Sequence, residues 1–159
     1  MRPKRKSISS ESLNLIGIPK KFHNAKLDDV SEKTKSRKNL KEFVRKYIED
    51  LENWKLEKGI FFFGSNGVGK TYLSSIILKH AYICRYTCYR ITFANYSDLY
   101  TRVWSGRSLD EKTELEEKLY QYKGCEILVL EEIGKNIDST ISTPILEDLL
   151  RYREDKGLI

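Results

Sequence analysis

The residues best suited to chemistry lie in one glycine-rich loop, Gly64 to Thr71. Its sequence, GSNGVGKT, fits the pattern G-x-x-x-x-G-K-[ST] at every fixed position, after an apolar run and before a helical pattern. Glycines let backbone N–H groups approach phosphate oxygens without interference from a Cβ atom, and the following helix adds its positive N-terminal end. The pattern therefore predicts a phosphate-binding loop made of Gly64, Ser65, Asn66, Gly67, Val68, Gly69, Lys70 and Thr71.

Two residues of this loop would act on the phosphates directly. The Lys70 ammonium is expected to reach the β- and γ-phosphates, where it would also serve catalysis, and the Thr71 hydroxyl is expected to bind Mg²⁺. The chain carries no convincing N-K-x-D motif for reading guanine, only GKNID at residues 134–138. The predicted cofactors are therefore ATP and Mg²⁺.

A pair of acids, Glu131 and Glu132, follows the apolar run ILVL about 60 residues after the loop. A P-loop enzyme that hydrolyses ATP needs a strand-end carboxylate for Mg²⁺ and a group that orients the attacking water. Glu131 occupies the metal position and Glu132 the catalytic, water-orienting position. Glutamate is one methylene longer than the usual aspartate, so turnover is expected to suffer more than binding. The alternative is that both acids only solvate the end of a strand.

The elements that must position these residues follow from apolar periodicity. Residues 38–56 have a helical apolar stripe, and IFFF at residues 60–63 is typical of a short strand buried on both faces of a parallel sheet. Beyond the loop, the pattern predicts helices over 70–85, 95–106, 110–123 and 143–155, and strands over 87–93 and 126–132. This alternation predicts an α/β fold with a mostly parallel sheet.

The chain of 159 residues has a formal net charge of +6, and its basic residues concentrate in the first third. Such a concentration favours nucleic acid or another polyanion as a partner, although a merely solvated basic tail is an equal alternative. Residues 1–16 are polar and serine-rich without an apolar face, which predicts a disordered basic tail or linker. Residues 17–159 are expected to form one globular domain.

Cysteine usage and hydropathy limit the expected compartment. Cys84, Cys88 and Cys125 are odd in number and lack a matching histidine cluster, so reduced structural thiols are favoured over disulfides or a metal site. No apolar run approaches the roughly 20 residues needed to span a bilayer, and no apolar signal segment follows the N-terminus. The expected location is the cytoplasm, without a membrane partner.

Four segments taken together resemble one protein family. They are GIPKKFHNAKLDDV at residues 17–30, which we call the IP segment, GIFFFGSNGVGKTYLSSIILKHA at 59–81, ILVLEEIG at 127–134 and ILEDLLRYREDKGLI at 145–159. They are similar to the AAA+ ATPase domain of the bacterial and phage replicative-helicase loaders of the DnaC and DnaI type, and more distantly to the IstB transposition ATPases. The resemblance covers about Gly17 to Ile159 and implies a P-loop NTPase fold of the AAA+ type, with a parallel sheet flanked by helices.

The resemblance also implies a function. Loaders of this family bind ATP, engage a hexameric replicative helicase and single-stranded DNA, and help to place the helicase on DNA in the bacterial host cell. In such domains the IP segment lies near the adenine, which makes Ile18 and Phe22 candidate nucleotide-binding residues. A packed linker is an equal alternative for these residues. An IstB-like transposition helper would share the same site and differ in its partner.

Two departures from the family pattern lower the expected activity. Only a short polar tail precedes Gly17, where the loaders carry a helicase-binding domain, and the sequence stops at Ile159, before the strand with the polar sensor residue and the arginine finger. The ATPase core is therefore expected to be incomplete at its C-terminus and to depend on self-association or a complementing chain. Weak hydrolysis is expected for the chain alone. A truncated, non-catalytic interaction protein that binds nucleotide stays an alternative.

Overall fold

The computed structural model describes residues 6–105, 109–134 and 140–159, which form a mixed α/β structure with a two-stranded parallel sheet flanked by helices. The two strands are β1, Cys88–Thr92, and β2, Ile127–Glu131. Two short 3₁₀ turns, Lys20–Phe22 and Leu27–Asp29, lie within the IP segment. The helices are α1 (Ser10–Leu15), α2 (Lys35–Glu52), α3 (Lys70–Ile83), α4 (Phe93–Ser105), α5 (Leu109–Gly124) and α6 (Ser142–Asp155).

The chain divides into two compact units. The first unit comprises Met1–Cys88 and the second comprises Tyr89–Ile159, so that the boundary falls inside β1. We describe each unit by itself. Residues 17–159, which were expected to form one globular domain, are therefore divided between these two units.

Helices α2 and α3 form the core of the first unit. Their buried side chains include Val44, Leu51, Ile76 and Leu78, each at most 1% exposed. Helix α2 begins three residues before its predicted start because the Thr34 hydroxyl accepts a hydrogen bond from the Arg37 backbone N–H at 3.3 Å and caps the first turn. The predicted helices at 38–56 and 70–85 are thus confirmed, with shifted ends.

The segment before the IP segment is helical, which corrects the expectation of a disordered tail over residues 1–16. Helix α1 begins with a capping box in which Ser9 and Ser12 exchange side-chain to backbone hydrogen bonds. Leu13 and Ile16 are 2% and 6% exposed. The prediction missed this helix because six residues are too few for a long apolar stripe, and so short a helix depends on tertiary packing. Residues 1–5 lie outside the described part of the chain.

The predicted strand at residues 60–63 does not form, and this prediction was wrong. The segment is irregular, and Phe61 and Phe63 are 74% and 85% exposed, with their rings stacked on one another at a centroid distance of 6.4 Å. Strand propensity largely reflects packing against neighbouring strands. Within the described residues the sheet contains only β1 and β2, so an apolar run alone was not enough to produce a strand here.

The second unit packs its three helices on the parallel strands. Its core contains Phe93, Tyr96, Leu99 and Val103 from α4 with Leu149 from α6, all at most 7% exposed. The predicted strands at 87–93 and 126–132 and the predicted helices at 95–106, 110–123 and 143–155 are confirmed to within two residues at each described end.

The last residue of the chain extends the hydrogen bonding of β2. The Ile159 N–H donates to the Glu126 carbonyl at 2.9 Å, and the Leu128 N–H donates to the Ile159 carbonyl at 2.8 Å. This is the pattern that one residue makes when it pairs in parallel with a strand.

None of the helices in the described ranges has the length and apolar composition needed to cross a bilayer.

Candidate phosphate-binding site

The loop Gly64 to Thr71 has a backbone that depends on its glycines. Gly64, Gly67 and Gly69 have φ angles of +141°, +81° and +103°, a region that residues with a Cβ atom rarely adopt. A Cβ atom built on Gly67 or Gly69 would meet no atom within 4 Å. The glycines are therefore required by backbone conformation, while the space beside the loop is open to a ligand.

The Lys70 side chain lies over this loop. Its ammonium donates hydrogen bonds to the Gly64 and Ser65 carbonyls, each at 2.8 Å. These two neutral acceptors hold the cation within the loop, where it would meet an incoming phosphate. Phosphate oxygens are charged and form stronger hydrogen bonds with an ammonium than backbone carbonyls do. The loop therefore carries a cation that a phosphate can engage by replacing weaker partners.

The N-terminus of α3 completes the anion-binding geometry. Gly69 is the N-cap residue, no side chain caps the first turn, and that turn carries no acidic residue. The first backbone N–H groups of a 14-residue helix are thus offered without a competing carboxylate. Thr71 stands in this turn, half-buried, and its carbonyl accepts hydrogen bonds from the Ser74 and Ser75 hydroxyls at 3.2 and 2.6 Å. The residues present fit a bound phosphate group.

The IP segment packs against α3 near this loop. Ile18 is 1% exposed, and its carbonyl lies 3.0 Å from His23 Nε2. The Ile18 side chain is therefore packed in the interior of the first unit. Phe22 is half-buried, and the Lys21 ammonium lies over its ring, 4.9 Å from the ring centroid.

Two residues of α3 that the sequence analysis did not single out hold the IP segment in place. The Tyr72 hydroxyl accepts a hydrogen bond from the Lys26 N–H and donates one to the Lys26 carbonyl, both at 3.1 Å. The Lys79 ammonium donates to the Ala25 carbonyl and to the His23 carbonyl, the latter at 3.2 Å. These contacts join residues 46 to 56 positions apart, so local spacing gives no sign of them.

The Lys79 side chain is also electrostatically unusual. Only 9% of the residue is exposed, and burial, followed by the positive charge of Lys26, lowers the pKa of its ammonium below the ordinary value. Both carbonyl contacts favour the charged form. In its charged form Lys79 holds the IP segment through charge-assisted hydrogen bonds.

The acidic residue predicted to bind Mg²⁺, Glu131, has a different partner. It lies at the end of β2, and its carboxylate forms an ion pair with the Arg90 guanidinium on the neighbouring strand β1. The two side chains are 12% and 16% exposed. A carboxylate engaged in this way must release the arginine before it can bind a cation. The sequence analysis did not predict this ion pair between Glu131 and Arg90.

Glu132, the predicted catalytic residue, has a strained backbone. Three non-glycine residues of the described chain have positive φ: Trp54, Arg85 and Glu132. The first two follow the ends of α2 and α3, where a left-handed residue closes a helix. Glu132, with φ of +59°, follows a strand instead. The left-handed backbone at Glu132 therefore does not serve to close a helix.

The predicted site residues are divided between the two units. The phosphate loop, Ile18 and Phe22 belong to the first unit, and Glu131 and Glu132 belong to the second. In the described ranges there is no cluster of three or more histidine, cysteine, aspartate or glutamate residues arranged to hold a metal ion. Residues 135–138 of the GKNID sequence lie outside those ranges.

Two further features of the described residues are the cysteines and a cavity in the first unit. Cys84, Cys88 and Cys125 are buried free thiols, and burial raises the pKa of the Cys125 thiol. A cavity of about 420 Å³ lies in the first unit between the IP segment, α2 and α3, with Ile48, Ile76 and Lys79 in its wall. It is lined by none of the residues predicted to bind nucleotide, so the loop geometry and not the cavity identifies the candidate site.

Comparison of the chain with models of protein families, with curated proteins and with solved structures gives no match.

Proposed function

We propose that this chain binds ATP through the loop Gly64 to Thr71. One observation supports the proposal above all: the Lys70 ammonium lies over a loop with three glycines at positive φ, at an uncapped helix N-terminus. Phosphate oxygens would take the place of the Gly64 and Ser65 carbonyls as acceptors for Lys70. Backbone N–H groups of the first turn of α3 would bind the remaining oxygens.

Mg²⁺ would neutralise part of the phosphate charge, and the Thr71 hydroxyl is the ligand that the loop itself offers for it. Glu131 stays the candidate for a second metal ligand and Glu132 the candidate that orients water, on the sequence pattern alone. Because Arg90 already neutralises Glu131, we propose that ATP hydrolysis by the chain is weak. This ion pair also favours the second candidate function, an interaction protein that binds nucleotide without efficient turnover.

On its motifs we propose further that the chain is an AAA+-type helicase loader. The phosphate loop, the IP segment and the ILVLEEIG sequence carry that proposal, and its partners would be a replicative helicase and single-stranded DNA. Co-purification with a replicative helicase in the presence of ATP would support it. Co-purification with a transposase instead would favour the IstB-like alternative.

Nucleotide binding is tested by titrating the purified chain with a fluorescent ATP analogue. Lys70→Ala is expected to lower the affinity about 10- to 100-fold, because charge-assisted hydrogen bonds are each worth about 1.5–3 kcal/mol. Lys46→Ala is the matched control, since Lys46 is an exposed lysine on α2 of the same unit. Equal affinity of both variants and the parent chain would refute the role of the loop, and competition by GTP as strong as by ATP would refute the choice of base.

A further inference from the structure

Tyr72 connects α3 to the IP segment at a position directly after the loop Gly64 to Thr71. It is the third residue of α3 and directly follows Thr71, so its Cα lies about 3.8 Å from that of the proposed magnesium ligand. Its hydroxyl uses both hydrogen-bonding functions on the backbone of one residue, Lys26. The Tyr72 ring also packs edge-on against Phe22 at a centroid distance of 6.0 Å.

The two α3 contacts to the IP segment lie on one face of the helix. Tyr72 and Lys79 are seven positions apart, which is close to two helical turns. Lys79 holds the carbonyls of His23 and Ala25, and Tyr72 holds the backbone of Lys26. The segment that follows Phe22 is therefore fixed along α3 at two points, and Tyr72 is the one beside the phosphate loop.

We propose that Tyr72 is a positioning residue for the nucleoside end of the bound nucleotide. Its hydroxyl would fix the IP segment, and its ring would support Phe22 as the stacking partner of a base bound beside the loop. Aromatic side chains stack on the π-face of any base. This inference rests on the proposed binding of phosphates at Gly64 to Thr71, and it assigns to Tyr72 the part of the affinity that depends on the nucleoside.

The proposal predicts a selective effect of Tyr72→Phe. This change removes one hydroxyl and two hydrogen bonds but keeps the ring against Phe22. ATP is expected to bind about tenfold more weakly, because the IP segment is no longer fixed. Inorganic triphosphate, which has no base, is expected to keep its affinity within about twofold, a difference that general destabilisation of the unit would not produce.

The experiment measures both affinities by calorimetry on the full chain. Tyr120→Phe is the matched control, because Tyr120 is an exposed tyrosine on α5, and it should change neither affinity. Lys79→Met is a second variant that releases the same segment two turns further along, and it should also weaken ATP selectively. Equal weakening of both ligands in Tyr72→Phe, or no weakening of either, would overturn the proposal. If the parent chain bound neither ligand, the proposed nucleotide binding would itself be wrong and this inference would fall with it.

Discussion

Arg153 is a buried charged residue of the second unit with several backbone hydrogen-bond partners. It is 6% exposed and donates to the carbonyls of Lys123, Cys125 and Glu126 at 3.1, 2.9 and 3.3 Å, and to that of Ile159. Burial lowers the pKa of its guanidinium below the ordinary value. The planar guanidinium has five donors in a fixed arrangement, which suits a set of converging carbonyls. Arg153 therefore joins α6 to the backbone between the end of α5 and the start of β2.

Replacing Arg153 should destabilise the protein strongly. Arg153→Met is expected to lower the free energy of unfolding by about 3 kcal/mol, because several buried carbonyls lose their donor at once. Arg151→Met is the control, since Arg151 lies on the same helix and is exposed, and it should cost less than about 0.5 kcal/mol. Urea unfolding of both variants provides the measurement. Similar midpoints for the two would show that the carbonyl contacts contribute little.

At the level of single site residues, local spacing predicted which positions of the loop need glycine. The positions of Gly64, Gly69 and Lys70 follow from a pattern eight residues long, and the backbone angles agree with it. Tyr72 and Arg90 could not be identified in this way. Their partners, Lys26 and Glu131, are 46 and 41 positions away, and such contacts exist only after the helices and strands have packed.

At the level of elements, helices were easier to predict than strands. The apolar stripe of α2 and the proline near the start of α6 are local signals, and a helix satisfies its own backbone hydrogen bonds. A strand needs a neighbour to do so. The predicted strand at residues 126–132 pairs with β1. The apolar run at residues 60–63 has no neighbouring strand among the described residues, and Phe61 and Phe63 are exposed.

The exposure of this run leads to a stability prediction. The double variant Phe61→Ser, Phe63→Ser is expected to change the free energy of unfolding by less than about 1 kcal/mol, because both rings are already largely in water. Thermal and urea unfolding would measure the change. Phe93→Ser provides the contrast: Phe93 is 2% exposed, and its replacement should cost about 3–5 kcal/mol. A loss of several kcal/mol in the double variant would instead indicate that residues 60–63 are buried, as the sequence pattern predicts.

At the level of the whole molecule, charge is divided unevenly between the two units. The first unit has 19 lysines and arginines against nine acidic residues, whereas the second has 10 against 14. The proposed phosphate loop therefore belongs to the basic unit. A positive field attracts polyanions over distances set by salt screening, so both nucleotide and nucleic acid would be drawn to this unit.

The charge division predicts salt-sensitive binding of single-stranded DNA. Log affinity should fall linearly with log salt, with a slope of about −0.7 per phosphate neutralised. Replacing Arg37 and Lys38, two exposed residues of α2, by glutamine should reduce that slope by about 1.4 if both contact phosphates. Replacing Lys118 and Lys156 of the second unit should leave it unchanged. Fluorescence anisotropy with an oligonucleotide would measure it, and identical slopes in both variants would contradict a DNA contact on α2.

The pairing of Ile159 with β2 also determines which amide reports on the second unit. An amide proton exchanges with deuterated solvent only when its hydrogen bond opens, and the Leu128 N–H is bonded to the Ile159 carbonyl. The Arg153 guanidinium donates to that same carbonyl. Slow deuterium uptake at Leu128 therefore depends on a side chain 25 positions away, and the uptake rate at this one amide measures how often α6 and the residues after it detach from the sheet.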